Sequence, residues 1–217
     1  MIKELYAILD IPWVYRLSQI ILAPGKPWLF KRLCDRVFAG SQGKILDVGC
    51  GPKLVTPKPQ GLLVGVDVNE AFLREYTGGL LDKDPALVIN PSPSREKLGY
   101  LAPVDHMPFA DGSFDQVRAV GFLHHLPDDE LARGIREMDR CLKKGGRFVV
   151  LEDVWPRRAW ARPIAWVIRR LDRGEFMRTQ EELLELFQKA CPGKWEWERC
   201  NYTFIGSELL YLNRVKE

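Results

Sequence analysis

An α/β fold is predicted: a doubly wound, mostly parallel sheet with helices on both faces and an antiparallel hairpin strand at its C-terminal end. Three observations carry this reading. Short runs that are apolar throughout alternate with segments of helical periodicity, which is the pattern of parallel strands buried on both sides. Several of these runs end in glycine or an acidic residue, as strands do where they enter a loop at the carboxyl edge of a sheet. The last two strand-like runs, Trp195 to Phe204 and Leu209 to Val215, are so close together that only a hairpin can join them. Together these features describe a Rossmann-like arrangement.

The elements follow in order. Residues 1–43 read as a helical cap broken at Pro24-Gly25. In its second half Pro27 suits a first helical position, and Phe30, Leu33, Cys34 and Val37 recur at helical spacing. The run Lys44 to Val48 is a buried strand that stops at Gly49-Cys50-Gly51, and Gly61 to Asp67 is a second. A helix is expected from about Glu70 to Tyr76. Residues 78–99 lack pattern, so mostly loop is expected, with one short strand at Ala86–Ile89. Asp115 to Gly121 is a further strand. Asp128 or Asp129 can cap a helix with Leu131, Ile135, Met138 and Leu142 on one stripe. Lys143-Lys144-Gly145-Gly146 stops that helix, and Arg147 to Asp153 is the next strand. A helix near Pro163 would bury Trp160, Ile164, Val167, Ile168 and Leu171 and turn Arg162, Arg169 and Arg173 to solvent. Thr179 and Glu182 form a capping box for a helix to about Lys189. The expected division is a cap over 1–43 and one domain over 44–217, with 155–192 inserted as a helical lid.

Composition excludes several classes. With 217 residues, 46% hydrophobic and 28% charged, the chain is neither low-complexity nor collagen-like. A net charge of +3 demands no nucleic-acid partner. The five cysteines show no CxxC spacing, so no zinc knuckle or disulfide framework is indicated and no metal is expected. Nothing resembles a signal peptide or a membrane span, and a reduced, cytoplasmic protein is expected. No obligate protein partner is indicated.

Glycines at the end of a strand let backbone approach a ligand. Asp67, closing the following strand, can accept both hydroxyls of a ribose. A dinucleotide fingerprint would place glycine or alanine at position 54, where Leu54 stands, and Pro57 and Pro59 disrupt the helix that should cradle a pyrophosphate. The loop therefore suits an adenosine ligand without phosphates better than a nicotinamide dinucleotide.

These residues resemble a known family. Leu46-Asp47-Val48-Gly49-Cys50-Gly51 is similar to the first motif of class I S-adenosylmethionine-dependent methyltransferases, and Val64-Gly65-Val66-Asp67 to the second. The segment Asp105 to Asp115 resembles L-P-F-x-D-x-S-F-D of the small-molecule branch that includes quinone-biosynthesis enzymes, also called methyltransferase type 11. Phe122 to Asp128 and Leu142 to Phe148 resemble segments beside that branch's fourth and fifth strands, with Lys144 in place of a proline. The resemblance implies roles. Asp47, Gly49, Cys50 and Gly51 match the loop around the methionine moiety of S-adenosyl-L-methionine, and Asp67 matches the ribose ligand. Val68 flanks the adenine, with Val104 and Asp105 at its edge. Phe122 lies where the chain passes the sulfonium. The acid that often meets the adenine amine would fall at Pro103, so either Asp105 substitutes for it or that contact is missing.

The sulfonium already activates the methyl group, so the protein has to align an acceptor and exclude water. His125 is the candidate base or acceptor-orienting group, with His124 beside it on the acceptor side. Residues 155–173 hold six arginines against one acid, with three tryptophans interleaved. This segment reads as a packed helix with a solvated basic side, as a holder for an anionic or lipid-like acceptor, or as a peripheral contact with an anionic membrane. Asp172 to Thr179 resembles a D-R-G-x-F-x-R-(S/T) segment of some bacterial methyltransferases, which makes Arg173 and Arg178 candidates for holding an anionic group on the acceptor or for ordering the lid. The expected partner is a small-molecule acceptor. An RNA or DNA methyltransferase is the alternative, but the base-flipping N-P-P-Y type of motif is absent. A catalytically silent cofactor-binding protein is the other.

Overall fold

A computed structural model describes residues 25–84, 86–89, 96–157, 159–170 and 174–217. The first half of the expected cap and Arg173 lie outside the described residues. Helix α1 spans Lys26–Val37, with Pro27 in its first turn and Leu33, Cys34 and Val37 buried. Strands β1 (Gln42–Val48) and β2 (Gln60–Asp67) follow, then α2 (Glu70–Thr77), capped by the Asn69 side chain. A four-residue helix α3 (Ala86–Ile89) precedes β3 (Lys97–Leu101). Strand β4 is Phe114–Val120, α4 is Asp128–Cys141 and β5 is Leu142–Val154. Helices α5 (Pro163–Arg170) and α6 (Gln180–Ala190) lead to β6 (Glu196–Asn201) and β7 (Glu208–Val215).

The seven strands lie in the order β3-β2-β1-β4-β5-β7-β6. The first five are mutually parallel, and β7 runs antiparallel to both of its neighbours. Strand order therefore reverses between β1 and β4, and the crevice beyond their carboxyl ends is where such sheets bind ligands. Side chains alternate across the strands, so Leu46, Val64, Val117 and Phe148 enter the larger core beneath α4 and α6. On the opposite face α1 packs on Val149 and Leu151, and α2 packs on Ile45 and Leu63.

Three expectations need correction. Ala86–Ile89 is a helical turn, and the missing strand is Lys97–Leu101. That strand is only five residues long with Gly99 in the middle, so its local signal is weak. Its place is fixed by pairing with β2 and by the Asp82 carboxylate, which accepts from Gly99 N at 3.1 Å. Helix α4 begins after Pro127, which takes the cap position given to Asp128 or Asp129; it ends at Cys141, and Leu142 follows, buried in the same core as Leu131, Ile135 and Met138. The third correction is larger. Helix α5 forms where expected but is turned over: Ala165 and Arg169 are its buried residues, while Ile164 and Val167 are exposed. Arg169, only 4% exposed, binds the Asp153 carboxylate and the Tyr202 hydroxyl. A charge cannot be buried without a partner, and Asp153 at the end of β5 supplies it. Burial, with the Asp153 carboxylate beside it, holds the Tyr202 hydroxyl well above the ordinary tyrosine pKa. Arg162 is also not free in solvent; it pairs with Glu208. The capping box of α6 is present as expected, with Thr179 Oγ1 accepting from Glu182 N at 3.2 Å.

Candidate active site

The loop after β1 doubles back over β2. Gly49 N and Cys50 N donate to Val66 O at 2.9 and 3.2 Å. Gly49 and Gly51 take φ values of 62° and 60°, the left-handed region that favours glycine. A Cβ on Gly49 would lie 2.3 Å from the Phe122 ring, whereas one on Gly51 would meet nothing within 4 Å. One glycine is thus pressed against the chain after β4, and the other faces open space. Asp67 braces this loop: Oδ2 accepts from Gly51 N at 3.0 Å and Oδ1 from Asn69 N at 2.9 Å. A carboxylate has about four acceptor positions, so two remain for a ligand.

Residues 52–59 form no helix, as their prolines predict, so no helix N-terminus stands at the loop to hold a pyrophosphate. Val68, 72% exposed, follows directly at the end of β2. Val104 is buried against Gly134, and Asp105 is held by Arg133 at 2.9 Å. This set fits an adenosine: one carboxylate with acceptor positions to spare and apolar side chains, with no phosphate cradle, the N–H groups of Gly49, Cys50 and Gly51 being spent on Val66 O and Asp67. Cys50 packs against Gly65 beside Tyr76, and burial pushes its thiol pKa up, which suits a packing residue rather than a nucleophile.

Asp47 does not open onto this space. Its Oδ2 accepts from Tyr76 OH at 2.9 Å and from Arg118 Nη2 at 3.0 Å on the buried face of the sheet. It supports the glycine loop from below. Arg118 is fully buried and its guanidinium lies 5.3 Å from the Phe38 ring. Sequence reasoning missed this pair, although an arginine inside the buried strand Gln116-Val117-Arg118-Ala119-Val120 signals a partner.

Beyond β4, Phe122 leads into a short 3₁₀ turn, Leu123–His125. His124 is buried, with Nδ1 2.5 Å from Glu152 Oε1, while Glu152 Oε2 accepts from Leu123 N at 2.8 Å. His125 is exposed, and its ring lies 4.3 Å from that of His124. The two histidines and Glu152 therefore form a line from solvent into the core. His124, Glu152 and Asp153 also bring ligand-type atoms within 4.8 Å of one another. Arg169 already neutralises Asp153 and would repel a cation there.

The segment after α5 wraps this turn. Gly174 sits on the His124 ring, where a Cβ would be 2.0 Å from Cδ2, and Phe176 N donates to His124 O at 3.0 Å. Arg178 is buried and all five of its N–H groups are used. Nε and Nη2 donate to Asp128 Oδ1, Nη1 to Leu123 O and Phe176 O, and Nη2 also to Leu126 O. Of the two roles expected for Arg178, these contacts leave no donor for an acceptor and fit the ordering of the segment after α5. Arg178 clamps the histidine turn. Arg178→Ala should cost about 3 kcal/mol, since bonds to a charged donor are worth roughly 1.5–3 each. That should lower the melting temperature by about 10 °C and leave cofactor affinity unchanged. An unaltered melting curve would return the clamp to a surface role.

Residues 46–150 match the family described as a methyltransferase domain. The chain carries a class I S-adenosylmethionine-dependent methyltransferase domain. S-adenosylmethionine is the cofactor such a domain takes. The ubiquinone/menaquinone biosynthesis C-methyltransferase UbiE of Geotalea uraniireducens is 34% identical over 122 residues, 53% of this chain and 47% of that one. Methyltransferase GfsG of Streptomyces halstedii is 30% identical over 143 residues, 61% and 46% of the two chains. The chain thus spans about half the length of the curated relatives it matches. In fold, the methyltransferase domain is similar to phosphoethanolamine N-methyltransferase 2 of Haemonchus contortus in complex with S-adenosyl-L-methionine. That likeness has a TM-score of 0.63 at 12% identity and covers 87% of this chain and 52% of that one. The [4+2]-cyclase SpnF is also similar, with a TM-score of 0.61 at 19% identity over 86% and 81%. The fold is shared between methyl transfer and a cyclase, so the reaction has to be argued from the site.

Proposed function

We propose that the protein transfers a methyl group from S-adenosylmethionine to a small-molecule or lipid-like acceptor by in-line displacement. The observation that carries this is the phosphate-free adenosine cradle formed by Gly49, Gly51 and Asp67 at the switch point of the sheet. Bound there, the cofactor supplies a methyl group already activated by its sulfonium. Asp67 holds the ribose hydroxyls with its remaining lone pairs. Val68 and Val104 flank the adenine, and Asp105 stands at its edge. Cys50 fills the floor of the loop, and Asp47 acts through the backbone it supports. Phe122, seated on Gly49, keeps water from the reacting centre. His125 orients the acceptor or takes its proton, with His124 and Glu152 behind it. Arg173 remains the candidate for an anionic group on the acceptor. Residues 155–192 serve as the lid and 1–43 as the cap of a cytoplasmic enzyme that meets a membrane only peripherally.

Calorimetry with S-adenosylmethionine, followed by product detection across an acceptor panel, tests the proposal. Asp67→Ala removes charge-assisted bonds worth about 1.5–3 kcal/mol each, so affinity should fall at least about tenfold with the fold intact. Equal titrations for mutant and wild type would sink the ribose assignment. Tight cofactor binding without methylated product from any acceptor would favour a silent binding protein.

A further inference from the structure

Helix α5 is attached by its charged side. Arg169 passes inward to Asp153 and Tyr202, and Ala165 packs beside it. At about 100° per residue, Val167 stands at the centre of the opposite face. Val167 is 48% exposed, Ile164 61%, and Trp160 in the preceding turn 81%. Trp166 lies at the rim, its ring 5.9 Å from that of Trp155. Arg157 and Arg170 are exposed at the two ends. The turn that carries Tyr202 exposes a further aromatic residue, Phe204. An exposed apolar helix face flanked by aromatic residues marks a docking site.

We infer that this face docks on an anionic lipid bilayer, with α5 lying in the interface. The occupant has to be apolar at the centre and anionic at the rim. Between Trp155 and Arg173 the sequence holds six arginines and a single acid, Asp172; Arg162 and Arg169 are spent on Glu208 and Asp153, and Arg157 and Arg170 are exposed beside the apolar face. A bilayer meets both demands: acyl chains receive Ile164 and Val167, tryptophans settle at headgroup level, and arginines reach phosphate. A second copy of the chain offers an apolar centre but no anionic rim. A two-fold pairing would set arginine against arginine, and a helix about 12 Å long covers far less than the ~800 Å² per partner of a stable interface. The inference deepens the methyltransferase reading and rests on it for one point, the supply of a lipid-like acceptor. Asp153, which anchors α5, adjoins Glu152, the partner of His124. A docked molecule would therefore hold the acceptor side of the site against the membrane.

Sedimentation with lipid vesicles tests this on the full chain. Binding is expected to vesicles of phosphatidylcholine with about 30% phosphatidylglycerol, and not to phosphatidylcholine alone. It should weaken severalfold when salt is raised from about 0.1 to about 0.5 M. Ile164→Asp with Val167→Asp should reduce the bound fraction at least about tenfold, while S-adenosylmethionine titrations stay at wild type because both residues are exposed. No sedimentation by a protein that still binds the cofactor overturns the docking and leaves the methyltransferase reading standing. Sedimentation without cofactor binding does the reverse. A concentration-dependent dimer abolished by the same two substitutions also overturns the bilayer, in favour of self-association.

Discussion

Gly49→Val should raise the dissociation constant for S-adenosylmethionine by more than about 100-fold. Two costs fall on the same backbone atom. A φ of 62° places a β-branched residue in the left-handed region, at roughly 1–3 kcal/mol. The new Cβ would also lie 2.3 Å from the Phe122 ring, and overpacking of that kind costs about 1–3 kcal/mol more. Relief of either strain moves the loop away from Asp67 or pushes Phe122 off the crevice. With tenfold in affinity for each 1.4 kcal/mol, the middle of the combined range, about 4 kcal/mol, exceeds two orders of magnitude when it is expressed in binding. Gly51→Ala separates ligand approach from folding. Its Cβ would enter open space, so stability should change less than in Gly49→Val while affinity still falls. Wild-type titrations from both variants, with intact circular dichroism, would remove the glycine loop from the cofactor site.

His125→Ala should lower turnover by the order of 10²-fold when the acceptor is a hydroxyl, and leave cofactor affinity unchanged. His125 is the exposed end of a line that runs through the His124 ring to Glu152, in the turn that follows Phe122. Glu152 is buried and fixes His124 through Nδ1, so its replacement by Gln should disturb the turn that carries both histidines. The signature of a role in proton transfer is a kcat effect with an altered pH profile. Wild-type turnover from His125→Ala would make the ring a surface residue.

The parallel strands were legible because each is a short apolar run closed by a glycine or an acid. Gly49-Cys50-Gly51 and Asp67 were legible for the same reason: a ligand loop at the end of a buried strand has to be built from residues that permit close approach. The capping box at Thr179 and the proline-broken stretch after Gly51 also appear as their sequences predict. Strand β3 was not legible, because Gly99 weakens a five-residue run and the pairing that defines it comes from β2. Asp47 was placed in the site, yet Arg118, 71 positions away, draws its carboxylate under the loop.

The sequence alone determined the class of sheet, the glycine loop, the acid that closes β2 and the hairpin at the C-terminal edge of the sheet. All of these rest on local backbone chemistry and on periodicity. Only the tertiary structure decided where the long charged side chains go. Arg169 reads in sequence as part of a solvated basic face, and Arg178, nine residues on, as a candidate to hold an anionic group or order the lid. Both are buried, one on Asp153 and the other on Asp128 and three carbonyls. An arginine enters the interior wherever enough acceptors converge to replace its hydration, and that convergence is set by strand order and loop packing. It turned α5 over, and with it the face that the molecule shows to its surroundings.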